Sequence, residues 1–179
     1  MPNWCENRIK ISGPTKKINK LWEDINNDGL LNTLHPQPDN LFLENLDPKK
    51  RLELDKDGVP NWYDWRIDNW GTKWEVNSED LCVVDNGDGN SYIWGDFVSA
   101  WSPPAEAYIA FNRADNGCEV EGWYFELGCD FCGLYNSKEG DVQCNSVSSE
   151  LELTEAERSE TFKRIEYEFG EALEIGGEL

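Results

Sequence analysis

The segment Asn7-Arg8-Ile9-Lys10-Ile11-Ser12 alternates polar and apolar side chains, the period of a half-buried strand, and Gly13-Pro14 ends it. Thr15 then stands as a candidate N-cap for a helix on which Ile18, Leu21, Trp22 and Ile25 recur at helical spacing. Asn27-Asp28-Gly29 stops that helix. Pro36 and Pro38 bar regular structure after Leu34, because each removes a donor and fixes φ. Residues 39–60 read as a long excursion with at most a short helix. The run from Asn61 to Trp70 fits a helix closed by Gly71, and Thr72–Val76 fits a short strand.

Leu81–Val84 is a further β-like run, followed by the turn residues Asn86-Gly87-Asp88-Gly89. Ser91–Trp101 is apolar and β-rich, and Ser102-Pro103-Pro104 opens a second helix carrying Tyr108 and Phe111. From Cys118 to Leu127 the pattern alternates again, with Trp123, Phe125 and Leu127 on one side and Tyr124 and Glu126 on the other. The chain returns through Phe131 to Tyr135, and residues 136–149 are polar. Thr154-Glu155-Ala156-Glu157 has the form of a capping box. It precedes an acidic helix with an apolar stripe of Phe162, Ile165, Phe169 and Leu173, ended by Gly176-Gly177.

The resulting order is strand, helix, strands, helix, strands. It predicts an α+β fold, a ferredoxin-like split βαβ with an antiparallel sheet. Residues 1–149 form this domain, with a Trp-rich insertion at about 36–80. The acidic C-terminal helix over 150–179 is appended, packed on the domain or extending from it.

Composition sharpens the picture through charge. The chain has 179 residues with 36 acidic and 16 basic side chains, a formal net charge of −20. Residues 1–51 hold 8 basic and 7 acidic residues; residues 52–149 hold 5 and 19; residues 150–179 hold 3 and 10. Such a chain repels nucleic acid, whose binding needs phosphates neutralised by Lys and Arg, and attracts basic surfaces. The magnitude exceeds the charge of about 2–8 that keeps a small domain soluble. An ordered acidic surface can imitate the phosphate array of a duplex, about one charge per 1.7 Å of axis. No stretch approaches the roughly 20 apolar residues of a membrane span, and the N-terminus lacks a basic-then-apolar leader. The expected location is the cytoplasm of the host cell, where the six cysteines stay reduced.

Catalytic patterns are sparse. The lone histidine, His35, stands directly before Pro36, and no Gly-x-Ser-x-Gly accompanies it. The reading is therefore a non-enzymatic protein that needs no cofactor. Cys129-Asp130-Phe131-Cys132 is a Cys-x-x-Cys flanked by Cys118 and Cys144, and four thiolates can hold zinc tetrahedrally. A zinc site usually pairs two such knuckles, and only one is present, so zinc ranks below a metal-free reading. The tryptophans Trp62, Trp65, Trp70 and Trp74 are either core or an interface anchor, because Trp dominates binding hot spots.

Five separated stretches carry a resemblance. These are Met1-Pro2-Asn3-Trp4-Cys5-Glu6-Asn7, Leu34-His35-Pro36-Gln37-Pro38, Asn69-Trp70-Gly71-Thr72-Lys73-Trp74, Trp101-Ser102-Pro103-Pro104, and Tyr124-x-Glu126-x-Gly128-x-x-Phe131-x-Gly133. In this order they resemble the YubB ferredoxin-like proteins of phages and plasmids, a family carried as a domain of unknown function. The resemblance spans residues 1 to about 135 and leaves out the acidic helix. It implies a ferredoxin-like fold without an iron–sulfur cluster and a mobile-element origin. It implies no catalytic residue.

These readings converge on a phage or mobile-element protein that binds and inhibits a host nucleic-acid-handling or defence complex, in the manner of an anti-CRISPR or anti-restriction protein. Its partner is a host protein with a basic nucleic-acid-binding surface, with no direct contact to nucleic acid or membrane. The expected contacts are Glu155, Glu157, Glu160, Glu166, Glu168, Glu171 and Glu174 on the C-terminal helix, Glu79, Asp80, Asp85 and Asp88 before it, and Trp62 and Trp65 as anchors. The alternative is a protein that sequesters a nucleotide or other small molecule in the Trp-rich segment, with Arg66, Lys73 and Asn69 supplying donors.

Overall fold

The computed structural model describes residues 3–144 and 146–176, without the side chains of residue 171 and residues 174–176. It is a mixed α+β structure built on one six-stranded antiparallel sheet. The strands are β1 (Trp4–Pro14), β2 (Leu81–Asp85), β3 (Asn90–Ala100), β4 (Glu119–Glu126), β5 (Phe131–Asn136) and β6 (Gly140–Gln143). Their order across the sheet is β2-β3-β1-β4-β5-β6, so β1 lies at the centre, flanked by β3 and β4, and β2 and β6 are the edges. The central register pairs Ile9 with Gly95 on one side and with Gly122 on the other.

Alternation along β1 assigns its two faces. Cys5, Asn7, Ile9 and Ile11 are buried on the first face. Four helices cover that face: α1 (Thr15–Asp28), α2 (Leu30–Leu34), α4 (Trp62–Trp70) and α5 (Ala105–Arg113). They bury Ile18, Ile25, Leu30, Leu31, Leu34, Trp70, Ala107, Tyr108 and Phe111 against Ile9, Ile11, Ile93 and Val120 in one cluster. Gly122 lets this layer close, because a Cβ there would lie 2.7 Å from the Tyr108 ring. The Tyr108 hydroxyl is buried and has no hydrogen-bond partner among the described residues.

The first helix ends as its sequence requires, at Gly29 with φ of 91°. Thr15, expected as its N-cap, is instead its first residue, and its hydroxyl pairs with that of Ser91 at 2.8 Å. No strand forms over residues 72–76. That segment is held by Glu75, whose carboxylate accepts from the backbone N–H groups of Leu31, Asn32 and Val76 at 2.7, 2.9 and 3.1 Å. The first two are open donors at the start of α2, so the side chain is a cap delivered from far along the chain. Burial pushes the Glu75 pKa up, and these three donors oppose the rise.

The 39–60 excursion contains a ten-residue helix, α3 (Pro48–Asp57). Asp47 caps it through Lys50 N–H, Pro48 opens it, and Gly58 closes it in the left-handed region at φ of 65°. The helix α4 is closed by Gly71 at φ of 85°, as its sequence predicts, while Asn61, expected within the helix, is its N-cap.

The second face of the sheet is covered by the C-terminal part of the chain. The short helix α6 (Val147–Leu151) precedes α7 (Glu160–Gly176). Phe162, Ile165, Phe169 and Leu173 pack against Trp123, Phe125, Cys132 and Leu134 of β4 and β5. The acidic helix is thus docked on the sheet rather than extended from it. Its start lies beyond the Thr154 box: the Thr154 hydroxyl does bond Glu157 at 2.6 Å, but this closes a turn. The side chain that caps α7 is Ser159, which accepts from Phe162 N–H at 3.1 Å. Gly177, expected to end the helix, lies outside the described residues.

A pin fixes α7 to the sheet. Arg8, on β1, points to the second face and bonds both carboxylate oxygens of Asp96 at 2.6 and 2.7 Å. It also donates to the backbone carbonyl of Glu168 and lies 3.4 Å from that residue's carboxylate. Its guanidinium sits between two rings, 5.3 Å from Trp94 and 5.2 Å from Phe169.

Candidate functional site

The acidic residues expected to meet a partner differ in exposure and in pairing. Glu168 faces inward on Arg8, and Glu166 pairs with Arg158, so both are tied to the protein's own arginines. Glu160 is exposed but pairs with Lys163 at 2.9 Å. Arg164 and Tyr167 are exposed on the same helix and interrupt any continuous acidic face. Glu155 and Glu157 are exposed in the preceding turn, where the hydroxyl and N–H of Thr154 lower the Glu157 pKa. The side chains of Glu171 and Glu174 lie outside the described residues.

Around the β2 edge the acids are differently placed. Glu79 and Asp80 precede β2, and Asp85 and Asp88 end it and shape the turn into β3. All four are exposed, and none forms an ion pair among the described residues. Asp85 accepts from Gly87 N–H and Asp88 from Asn90 N–H, each at 2.9 Å, which fixes the two carboxylates in place. At about 3.3 Å per strand residue, these acids lie at the two ends of an edge roughly 16 Å long.

The Trp-rich segment divides between core and surface. Trp70 is fully buried and donates its indole N–H to the His35 carbonyl at 2.8 Å. Trp65 packs edge-on between Trp70 and His35 at 5.7 and 5.3 Å, which makes it core support rather than an anchor. Asn69 bonds back to the Trp65 carbonyl, and His35 Nδ1 meets the Asn69 carbonyl, so neither is directed at a ligand. Arg66 lies over Trp62 and Trp70 and donates to Gln37 at 3.0 Å. Burial lowers its pKa.

Trp62, Tyr63, Arg51 and Lys73, by contrast, line a cleft of ≈ 740 Å³ between α3 and α4. Lys73 stands 4.3 Å from the Trp74 ring and 5.0 Å from the Trp101 ring. Trp4 packs beside Trp74 with ring centres 6.2 Å apart. Trp4 and Trp101 belong to this cluster although sequence reading gave them no role. Nothing in their local pattern reveals it, because the end of β3 and the start of β1 meet only through sheet register.

The four cysteines considered for zinc are not brought together. Cys118 and Cys129 flank β4, whose 8 residues at about 3.4 Å each hold them roughly 25 Å or more apart. Cys118 lies against Gly13, while Cys129 accepts a hydrogen bond from Asn3. Cys132 and Cys144 do face each other, with the Cys144 N–H donating to the Cys132 carbonyl at 2.9 Å. Among the described residues no three His, Cys, Asp or Glu side chains gather as a metal site. No helix among them is long and apolar enough to cross a membrane.

Comparison with known proteins gives one likeness of sequence. The chain is 33% identical over 85 residues to the uncharacterized protein YubB of Escherichia coli (strain K12), a match that covers 48% of this chain and 57% of that protein. The chain therefore spans little more than half the length of the relative it matches. No protein-family model and no solved structure matches it.

Proposed function

We propose that the protein is a non-enzymatic product of a phage or mobile element. It binds a basic surface on a host nucleic-acid-handling or defence protein and blocks it, as an anti-CRISPR or anti-restriction protein does. The carrying observation is that Glu79, Asp80, Asp85 and Asp88 stand exposed and without ion pairs among the described residues at the open β2 edge. Fixed carboxylates in a chain of net charge −20 attract a cationic groove and repel nucleic acid itself. The proposed contact surface centres on this edge, because Glu166 and Glu168 of α7 are tied to Arg158 and Arg8, while the exposed Glu155 and Glu157 stay part of it. The mobile-element origin rests on the resemblance of the five motifs.

A ferredoxin-like core belongs to the same proposal. It is supported by the order β2-β3-β1-β4, with α1 between β1 and β2 and α5 between β3 and β4. The segment from α2 to α4 is then an insertion, and β5 to α7 an extension.

The test is capture from host lysate by wild type and by the isosteric variant Glu79→Gln/Asp80→Asn/Asp85→Asn/Asp88→Asn. Loss of the captured protein in the variant, with folding intact, supports the reading; undiminished capture contradicts it.

A second reading, a protein that sequesters a small molecule, is favoured by the cleft of ≈ 740 Å³ beside Lys73, within the range of about 300–1,000 Å³ common for ligand sites.

A further inference from the structure

We infer that Lys73 and the rings around it form a binding site for a planar aromatic anion of the nucleotide class. The inference rests on the second reading and deepens it; it does not depend on the acidic β2 edge.

Four separate parts of the chain build the site. Trp4 comes from the start of β1, Tyr63 from α4, Lys73 and Trp74 from the loop after Gly71, and Trp101 from just past β3. The Lys73 ammonium is 4.3, 5.0 and 5.9 Å from the ring centres of Trp74, Trp101 and Tyr63. Large aromatic side chains gathered in one place normally close into a core. Here Trp4, Trp74 and Trp101 remain 48%, 36% and 40% exposed, and a patch of that kind marks an interaction site.

The backbone keeps it open. Trp101 holds φ of 71°, a conformation a bulky residue rarely adopts, and its N–H is fixed on the Asn3 carbonyl at 2.9 Å. Strain maintained in this way tends to concentrate at ligand-contacting positions.

Charge selects the ligand. In a chain with 36 acidic residues, Lys73 has no carboxylate partner among the described residues. Arg51 is a second cation on the same Tyr63 ring, 5.7 Å from its centre, and both cations line the cleft. Of the two acids in that lining, Asp47 is engaged in capping α3, and Asp55 is exposed without an ion pair among the described residues. Flat rings stack a base irrespective of its identity, the cations take the phosphate charge, and Asp55 is an acceptor for a hydroxyl or exocyclic amino group.

The test titrates the full chain with each of the four common nucleoside monophosphates, with adenosine and with inorganic phosphate, read by tryptophan fluorescence and calorimetry. Saturable binding of a monophosphate is expected, with adenosine about tenfold weaker and phosphate alone undetectable, tenfold being about 1.4 kcal/mol. Lys73→Met, which keeps the stem between the rings, and Trp74→Ala should each weaken the monophosphate about tenfold or more without lowering thermal stability. The inference is overturned if none of the four common nucleoside monophosphates binds. It is also overturned if Lys73→Met lowers the melting temperature and leaves affinity unchanged. Should Lys73→Met instead abolish capture of a host protein while nucleotide affinity stays constant, the rings are a protein-docking face and the inference fails. The acidic-surface reading is untouched by the titration, because the β2-edge variant probes it separately.

Discussion

Replacing Arg8 with Met should detach the C-terminal helix while leaving the rest of the sheet folded. The substitution keeps an apolar stem on β1 but removes the group that joins Asp96, the Glu168 carbonyl and the two rings of Trp94 and Phe169. Asp96 is half exposed, so its pair with Arg8 is worth no more than about 1 kcal/mol. The better-buried bond to Glu168 is worth about 1–1.5 kcal/mol, and each ring face about 0.5–1 kcal/mol. A loss of about 3 kcal/mol follows, short of the cost of breaking a fully buried pair. For a chain of this size that lowers Tm by roughly 6–12 °C. Since 1.4 kcal/mol is tenfold, α7 should open roughly a hundred times more often. Native-state hydrogen exchange reads this by element: amides of α7 should lose protection by about two orders of magnitude, and amides of β1 and β3 that open only on global unfolding should lose no more than that. Unchanged protection of α7 would refute the pin, and so would a destabilisation below about 0.5 kcal/mol.

Trp65→Ala should destabilise by about 2–3 kcal/mol because it removes a partly buried ring packed edge-on to Trp70 and His35 against the core, whereas Trp62→Ala should cost well under 2 kcal/mol; denaturant titration of the two variants reverses the assignment if Trp62 is the costlier. Tyr108→Phe should leave stability unchanged or raise it by about 1 kcal/mol, since it deletes a buried hydroxyl without a partner. A clear loss in thermal unfolding would mean that this hydroxyl is bonded after all.

The sequence carried most of the first layer. Alternation in β1, helical spacing in α1, and the closing Gly71 of α4 are local, and each marked its element. Where the reading failed, a distant contact decided. Thr72–Val76 has strand-like residues, yet the open donors of α2 take the Glu75 carboxylate, and the segment is fixed as a loop. Thr154 forms the expected box bond, but the helix starts only after Ser159, where Phe162 first reaches the second face. The polar run at 140–143 hid an edge strand, because β6 has one partner and little to bury.

The candidate site was less legible, for the same reason. Glu166 and Glu168 look like solvated acids until Arg158 and Arg8 are placed beside them. Trp101 becomes a neighbour of Lys73, and Trp4 of Trp74, only through the pairing of β1 with β3.

The central claim, that exposed acids at the β2 edge seize a basic host surface, is tested most directly by the salt dependence of affinity for the captured host protein. Screening lengths fall from about 30 Å at 0.01 M to 3 Å at 1 M salt. The account predicts an affinity that falls steeply over this range, with a shallower slope for the Glu79→Gln/Asp80→Asn/Asp85→Asn/Asp88→Asn variant. An affinity indifferent to salt, or an equal slope for both proteins, would contradict it.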